Sequence, residues 1–291
     1  MSLWNHYFVV DSVQDALKTL AAAPGPARLI AGGTDLLLDL QQGRLAPIDT
    51  LVDVTRIPEL TALEMRDMRI YIGAAVPLNR IVASPLIQVH AQALVEACGQ
   101  IGGPQVRNTG TLGGNVGHAL PAADGTIALI AMGAEAEIAH IGGRRRVSLE
   151  ELFLGPGKST LVEGRELLVG FFLPPNEPGQ ASAFLRVMRP QGVALPILNM
   201  AAWIQRQGKR IAGVRLALGP AGKKPLRAYA AERVLSGGSM NEKLIAEAEE
   251  AMLREAQFRS SRLRASAAYR RYLSGFLLRE TLTRAWERTW V

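Results

Sequence analysis

The chain has 291 residues, 48% of them apolar and only 20% charged, which excludes long disorder and allows a sizeable core in one or two domains. No apolar run reaches the roughly 18 residues of a membrane span. "MSLWNHYFVVDSVQ" lacks a basic segment followed by a long apolar one, so no secretory signal is read and a cytoplasmic location is expected. The formal charge is +7, which raises nucleic acid as a partner. However, many basic residues (Arg254, Arg259, Arg262, Arg264, Arg270, Arg271, Arg279, Arg284, Arg288) gather near the C-terminus without a nucleic-acid motif. Tyr269, Tyr272 and Phe276 fall among them at helical spacing, which predicts that they pack. A solvated basic face is expected first, and a surface for an acidic protein partner or an anionic cofactor second.

In chain order, "HYFVV" reads as a strand and is followed by a helix capped by Asp11 or Ser12, with Val13, Leu17 and Leu20 on one face. "ARLIAGG" is a second strand, "TDLLLDLQQG" a short helix ending at Gly43, and "TLVDVT" a third strand. "MRIYIGAAVPLNRIV" gives a strand, a turn and a helix start, and "LIQVHAQALVEACGQIG" one helix. A glycine-rich stretch follows, then the helix "DGTIALIAMG", a hairpin around Gly142-Gly143, and the strand "RELLVGFFLPP". The main boundary is expected in the Pro/Gly-rich "PPNEPGQ". Beyond it, "ASAFLRVMR", "ILNMAAWIQRQ" and "KRIAGVRLALG" predict a three-stranded antiparallel meander, and "PLRAYAAERVLSG", "NEKLIAEAEEAMLREA" and "ASAAYRRYLSGFLLRETLTRAWER" predict helices. Strands then helices in one segment give an α+β domain.

The single cysteine, Cys98, excludes an internal disulfide and a four-cysteine cluster built from this chain alone. It shares helical spacing with Ala91, Leu94, Val95 and Ile101 and reads as a buried, inert thiol. His6, His90, His118 and His140 are scattered through different elements and are expected to be structural. No metal spacing appears.

Two glycine stretches carry the chemistry. In "RLIAGGTDLLLDLQ", residues 28–41, paired glycines stand between a strand and a helix start. Bare backbone of this kind can offer consecutive N–H groups and a helix N-terminus to a diphosphate. Thr34 adds a hydroxyl, while Asp35 repels phosphate and is expected to cap the next turn or accept a sugar hydroxyl. In "GGPQVRNTGTLGGNVGHALPAADG", residues 102–125, Gly102-Gly103 and Gly110 flank "PQVRNT", and Thr111, Gly113, Gly114 and Asn115 read as a tight polar turn. Paired glycines in one turn are common in purely structural loops, but two such stretches in one domain point to a dinucleotide. No G-x-G-x-x-G follows a strand. "LGPGKST" has Leu152 where a phosphate loop needs its first glycine. G-x-S-x-G and H-E-x-x-H are also missing.

At "AGGTDLLLDL" (31–40) and "TGTLGGNVGHALPAADG" (109–125) the sequence resembles the FAD-binding medium subunit of the molybdenum hydroxylases, the xanthine dehydrogenase and aerobic carbon monoxide dehydrogenase group. "FRSSRLRASAAYRRYLSGFLLRETL" is similar to that family's C-terminal domain, so the resemblance covers nearly the whole chain. It implies an α+β fold: a two-subdomain FAD-binding domain of the vanillyl-alcohol oxidase type over residues 1–175 (subdomains about 1–55 and 56–174), then an α+β C-terminal domain over 176–291. Carried over by position, Leu29, Ile30, Ala31, Gly32, Gly33, Thr34, Asp35 and Leu36 would wrap the FAD diphosphate. Thr111, Gly114 and Asn115 would bind diphosphate and sugar, and Asp124 a polar group of the cofactor. Ile101, Gly102, Val106 and Gly110 would line the cleft, with Leu168 and Arg186 as later contacts. "FLRVMRPQGVALP" departs from the family's Lys-rich pattern there.

The resemblance further implies an oxidoreductase subunit with FAD as its only redox group. Molybdenum cofactor would lie in a large partner subunit and [2Fe-2S] clusters in a small one. Electrons would pass from those clusters through this chain to NAD⁺, a quinone or another acceptor. No residue is assigned as catalytic and none as a metal ligand. A stand-alone FAD-dependent oxidase or reductase is the alternative within the fold, and a basic scaffold protein the alternative outside it.

Overall fold

The computed structural model describes residues 2–190 and 195–289; positions 191–194, inside "FLRVMRPQGVALP", lie outside the described residues. The first unit is β1 (Trp4–Val9), α1 (Val13–Ala22), β2 (Ala27–Ile30), α2 (Leu36–Gln41) and β3 (Ile48–Asp53). Its sheet is parallel in the order β1-β3-β2. Of the two capping candidates for α1, the structure uses Ser12, whose Oγ accepts from the Asp15 N–H at 3.0 Å. The helix then buries Val13, Ala16, Leu17 and Leu20, an apolar stripe at 3.6-residue spacing.

The short helix α3 (Pro58–Thr61) leads into a second, antiparallel sheet. Its strands are β4 (Leu63–Arg66), β5 (Arg69–Gly73), β6 (Glu135–His140), β7 (Gly143–Ser148) and, after the small hairpin β8 (Phe153–Gly155) and β9 (Lys158–Ser159), β10 (Glu166–Leu173). The order is β4-β5-β10-β6-β7. Strand β10 sits in the middle, and "ELLVGFFL" is buried from its second residue to its last, as a strand covered on both faces requires. "LGPGKST" is the β8–β9 turn, with no helix after it.

Between β5 and β6 run α4 (Leu78–Ala83), α5 (Pro85–His90), α6 (Gln92–Gly99), α7 (Pro104–Thr109), α8 (Leu112–Gly117) and α9 (Asp124–Ala131). The expected single helix over residues 86–102 is two, broken at Ala91 (φ −147°, ψ 48°). The break lets the Ala93 N–H, an unpaired donor at the new helix start, bond to Ser182 Oγ at 3.0 Å. Glu96 then accepts the Phe184 N–H at 2.8 Å and pairs with Arg288, so α6 is tied to the C-terminal part by its polar ends. Cys98 is fully buried in α6, and burial pushes its thiol pKa far up, as an inert packing residue requires. All eight residues of α9 are buried, because it is sandwiched between the second sheet and a third.

That third sheet contains β11 (Gln180–Met188), β12 (Pro196–Gln207), β13 (Arg210–Gly219) and a two-residue β14 (Leu226–Arg227), all antiparallel in sequence order. The expected meander of three strands therefore gains a fourth. Its outer face is covered by α10 (Tyr229–Leu235), α11 (Glu242–Glu255) and α12 (Ala267–Arg288), which share one apolar cluster with β12 and β13.

Tyr269, Tyr272 and Phe276 do not pack: they are 45%, 76% and 55% exposed on the outer side of α12. The face that does pack is Leu273, Leu277, Leu278 and Leu282, which compete for the same helix and are the better hydrophobes.

Candidate functional site

The site begins where β2 stops. Ile30 closes the strand with its side chain in a small core with Leu40, Ile48 and Leu51, and Leu36 packs against the same cluster as α2 starts. Leu29 lies against the first unit's main core. Between them, Gly33 adopts φ +66°, the left-handed region that an L side chain enters only at a cost. A Cβ on Gly33 would point at Ile30 Cδ1 and Leu37 Cδ1, both 3.1 Å away. The glycine is therefore required by backbone conformation and inward packing, not by a ligand pressing on it. Asp35 does not cap α2: it has helical dihedrals, makes no capping hydrogen bond and is exposed.

Among the described residues, the N–H groups of Gly32, Gly33, Thr34 and Asp35 find no acceptor. Consecutive amides without acceptors can form an anion cradle.

The second stretch is built differently. Instead of a tight turn, it is two short helices joined at Gly110. Thr111 is the N-cap of α8, its Oγ1 accepting from the Gly114 N–H at 3.0 Å. The Leu112 and Gly113 amides bond to the carbonyls of Val76 and Ala74, and Asn115 bonds back to the Thr111 carbonyl. Its amides are thus used internally, and what it offers a ligand is shape. Gly114 is exposed, and a Cβ there would meet only Thr111 Oγ1, at 3.2 Å. Gly102 sits at φ +57° in the turn before α7, with Val106 packed over it. Arg107 holds that turn by donating from Nη1 to the Gly102 carbonyl at 2.7 Å and from Nε to Asn79 Oδ1 at 3.2 Å. Ile101 is half-buried beside them, and Val106 is 38% exposed.

The structure brings the two stretches into contact. A Cβ on Gly32 would lie 2.1 Å from the Thr109 carbonyl oxygen and 2.9 Å from Gly110 Cα. Thr34 Oγ1 lies 3.5 Å from the Cβ position of Gly110.

The line continues through Asn115, whose Oδ1 accepts from the Thr126 N–H at 3.2 Å, to Asp124 at the start of α9. Asp124 and Arg186, two of the expected cofactor contacts, hold each other: Arg186 Nη1 donates to Asp124 Oδ2 at 2.7 Å, with side chains 4% and 5% exposed. Burial pushes the Asp124 carboxyl above its ordinary range, and Arg186 and Asn199 pull it back.

Asn199 escaped the sequence reading. It is fully buried in β12 and donates to Asp124 Oδ1 at 2.5 Å and to the Ala122 carbonyl at 3.0 Å. Its only signal was one amide inside the apolar run "PILNMAAW". Leu168 stands apart: it is buried in the core of the second sheet, 7% exposed.

These features fit an elongated dinucleotide. Four unclaimed amides suit a diphosphate, and the floor at Gly114 is bare. Among the described residues, three buried polar atoms near Asp124 have no partner: Arg186 Nε, Asn199 Oδ1 and Thr126 Oγ1. Left dry and unpaired, such atoms cost about 1–3 kcal/mol each.

Comparison with known proteins names the dinucleotide. Residues 3–176 match the family model "FAD binding domain in molybdopterin dehydrogenase", and residues 183–285 match "CO dehydrogenase flavoprotein C-terminal domain". The chain is 32% identical to the nicotine 6-hydroxylase medium subunit of Paenarthrobacter nicotinovorans, with 96% of each chain covered. It is 30% identical to the carbon monoxide dehydrogenase medium chain of Hydrogenophaga pseudoflava, with 97% of each covered. The solved structure of carbon monoxide dehydrogenase from Hydrogenophaga pseudoflava superposes with a TM-score of 0.92 over 98% of both chains at 30% identity. The chain belongs to the family of FAD-binding subunits of molybdopterin dehydrogenases, and its cofactor is FAD. Within that family it is an oxidoreductase subunit, the FAD-binding medium subunit of molybdenum hydroxylase complexes. No helix among the described residues is long and apolar enough to cross a membrane.

Proposed function

We propose that FAD lies across the contact between the two glycine stretches, and that the chain is the electron-transfer subunit of a heteromeric molybdenum hydroxylase. The observation that carries this reading is the row of four unclaimed amides from Gly32 to Asp35, set against the second loop by the Gly32–Thr109 contact. The amides of Gly32, Gly33, Thr34 and Asp35 hold the diphosphate, with Ala31 at the mouth and the side chains of Leu29, Ile30 and Leu36 shaping the loop from behind. Gly110, Thr111, Gly114 and Asn115 form the opposing wall, and Ile101, Gly102 and Val106 form its rim. Asp124 orients Arg186 so that the unpartnered Nε faces a polar group of the cofactor, and Asn199 Oδ1 supplies an acceptor beside it. Leu168 acts through packing behind that wall.

Flavin, when bound, supplies one- and two-electron chemistry. The protein's share is to bind it, fix its orientation and keep water from the Asp124–Arg186 end. No side chain is required as acid or base.

The partners under this reading are a large subunit with molybdenum cofactor and a small subunit with [2Fe-2S] clusters. The chain takes electrons from the clusters and delivers them to NAD⁺, a quinone or another acceptor. Residues 1–175 form the cofactor domain and 176–291 the C-terminal domain, with Asp124 and Asn199 meeting across the boundary.

Purification of the tagged chain from its own host tests this. A yellow complex of three different chains that releases FAD, not FMN, on denaturation is expected. A colourless chain that takes up no added FAD would overturn the cofactor site, and a solitary yellow oxidase would overturn the partners.

A further inference from the structure

Arg270, in the first turn of α12, is a buried guanidinium that forms no ion pair among the described residues. It is 4% exposed. Of its nitrogens only Nη1 has a partner there, donating to the Arg259 carbonyl at 2.7 Å. Nε is buried and has none. Burying a cation without an anion is costly, and the unused donors of a guanidinium stand in a fixed fork that fits two oxygens of one oxyanion.

No acid nearby meets that need. Between Glu255 and Glu280 the sequence holds six arginines and no acidic residue. Glu255 is taken by the Ala230 N–H, at 3.1 Å. Glu249, on α11, faces Gly275, five positions beyond Arg270, and Glu280 lies ten positions beyond it, about 15 Å along the helix axis. The β13–β14 turn reaches this segment through its Ala221 carbonyl, which accepts from the Gln257 N–H at 2.7 Å, and it carries Lys223 and Lys224. Burial, then the charges of Arg264 and Arg259, push the Arg270 pKa down, and no carboxylate offsets them.

The segment before α12 is folded against the same helix start. The Ser261 N–H bonds to the Ala265 carbonyl at 2.9 Å and the Arg264 N–H to the Ser261 carbonyl at 3.3 Å, which closes a turn. Ser260 Oγ accepts from the Ala267 N–H at 3.0 Å, and Ser266 Oγ, the N-cap, from the Tyr269 N–H at 3.1 Å. Both hydroxyls keep a proton to donate. The N-terminus of a 22-residue helix adds partial positive charge.

We infer that the turn over residues 259–266 and the first turn of α12 form a binding site for one small inorganic oxyanion of the phosphate or sulfate class, with Arg270 as its buried donor and Arg264 and Arg259 beside it. Three guanidinium groups call for a dianion, which these ions supply and a single carboxylate does not. The site shares no residue with either glycine stretch, so it is additional to the FAD cleft. Its occupant ties the segment between α11 and α12 to the helix and stabilises the C-terminal domain.

The test uses the full chain with FAD in excess, which keeps phosphate out of the diphosphate cradle, in a chloride buffer free of phosphate and sulfate. Inorganic phosphate binding is measured by equilibrium dialysis and by melting temperature, with sodium chloride at matched ionic strength as the control. Saturation near one phosphate per chain is expected, with a melting temperature that rises with phosphate and not with chloride. Arg264→Ala is expected to weaken phosphate binding at least about tenfold, the size of one lost charge-assisted hydrogen bond. Arg284→Ala, which removes an exposed arginine near the other end of α12, is expected to leave it unchanged. Arg270→Met is expected to abolish it, and if that variant does not fold, Arg264→Ala decides. No saturable binding, equal stabilisation by chloride (an adventitious ion only), or full binding by Arg264→Ala overturns the site. These variants read the site whether or not the chain takes up FAD, so failure here is distinct from failure of the cofactor reading.

Discussion

Gly32 and Thr109 meet backbone to backbone: a Cβ on Gly32 would stand 2.1 Å from the Thr109 carbonyl oxygen, closer than any real contact. Seventy-seven positions apart in sequence, the two residues are the joint at which the amide-bearing loop and the helix-capping loop become one cleft. Gly32→Ala must push that joint open. The expected result is loss of about 1–3 kcal/mol of stability, the usual size of overpacking in a filled site, with weakened FAD binding. Thermal melts with and without FAD, beside a flavin-to-protein ratio, measure both.

The two neighbouring glycines should separate fold from cofactor. Gly33→Ala places an L side chain at φ +66°, so about 1–2 kcal/mol is lost whether or not FAD is present. Gly114→Val adds its side chain on the exposed side of the α8 N-terminus, where the capping Thr111 Oγ1, 3.2 Å from the Cβ position, must give by a few tenths of an ångström. The apoprotein should stay folded, within about 1 kcal/mol of wild type, the size of a disturbed helix cap, and yet hold no flavin. A Gly114→Val protein that unfolds would show the site to be a packing position.

Asp124 and Arg186 should behave as one unit. Arg186→Met leaves a buried carboxylate with Asn199 alone, a change of the kind that costs about 3–5 kcal/mol. Asp124→Asn leaves the guanidinium unpaired instead. The double variant is expected to be more stable than the two losses added together, and chemical denaturation of all four proteins gives the coupling. Strict additivity would mean that the pair contributes nothing jointly.

Acid stability should depend on Glu59. The hydrogen bond from Arg144 lowers its pKa, outweighing burial; Arg144 Nη2 donates to Glu59 Oε2 at 2.9 Å and Nη1 to Glu137 Oε2 at 3.1 Å. A carboxyl with a folded pKa below its unfolded 4.5 gives stability that is complete above that value and lost as pH falls through the lower folded one. Melting temperature should therefore fall on acidification below about pH 4.5, less steeply in Glu59→Gln. Identical pH profiles would remove this contact from the acid response.

Much of this was legible in the chain. The strand–helix rhythm of residues 4–53 is plain, and so is the central strand "ELLVGFFL", because burial on both faces leaves an unbroken apolar run. Ala91 was not legible, since the break in the helix serves a bond to Ser182, 91 positions downstream. The turn around Gly114 was misread because glycine pairs mark turns, whereas Thr111 uses them to start a helix. On α12, periodicity showed that Tyr269, Tyr272 and Phe276 share a side but not which side faces the sheet; the leucines decide that. Asn199 required the tertiary structure, since one amide in an apolar strand has meaning only once Asp124 is seen beside it.

The most direct measurement is FAD titration of the apoprotein, followed by flavin fluorescence, for wild type and Gly114→Val. Wild type should saturate at one FAD per chain, while the variant, still cooperatively folded, should bind none. Full, tight binding by Gly114→Val would place the flavin away from the second loop and contradict the cleft described here.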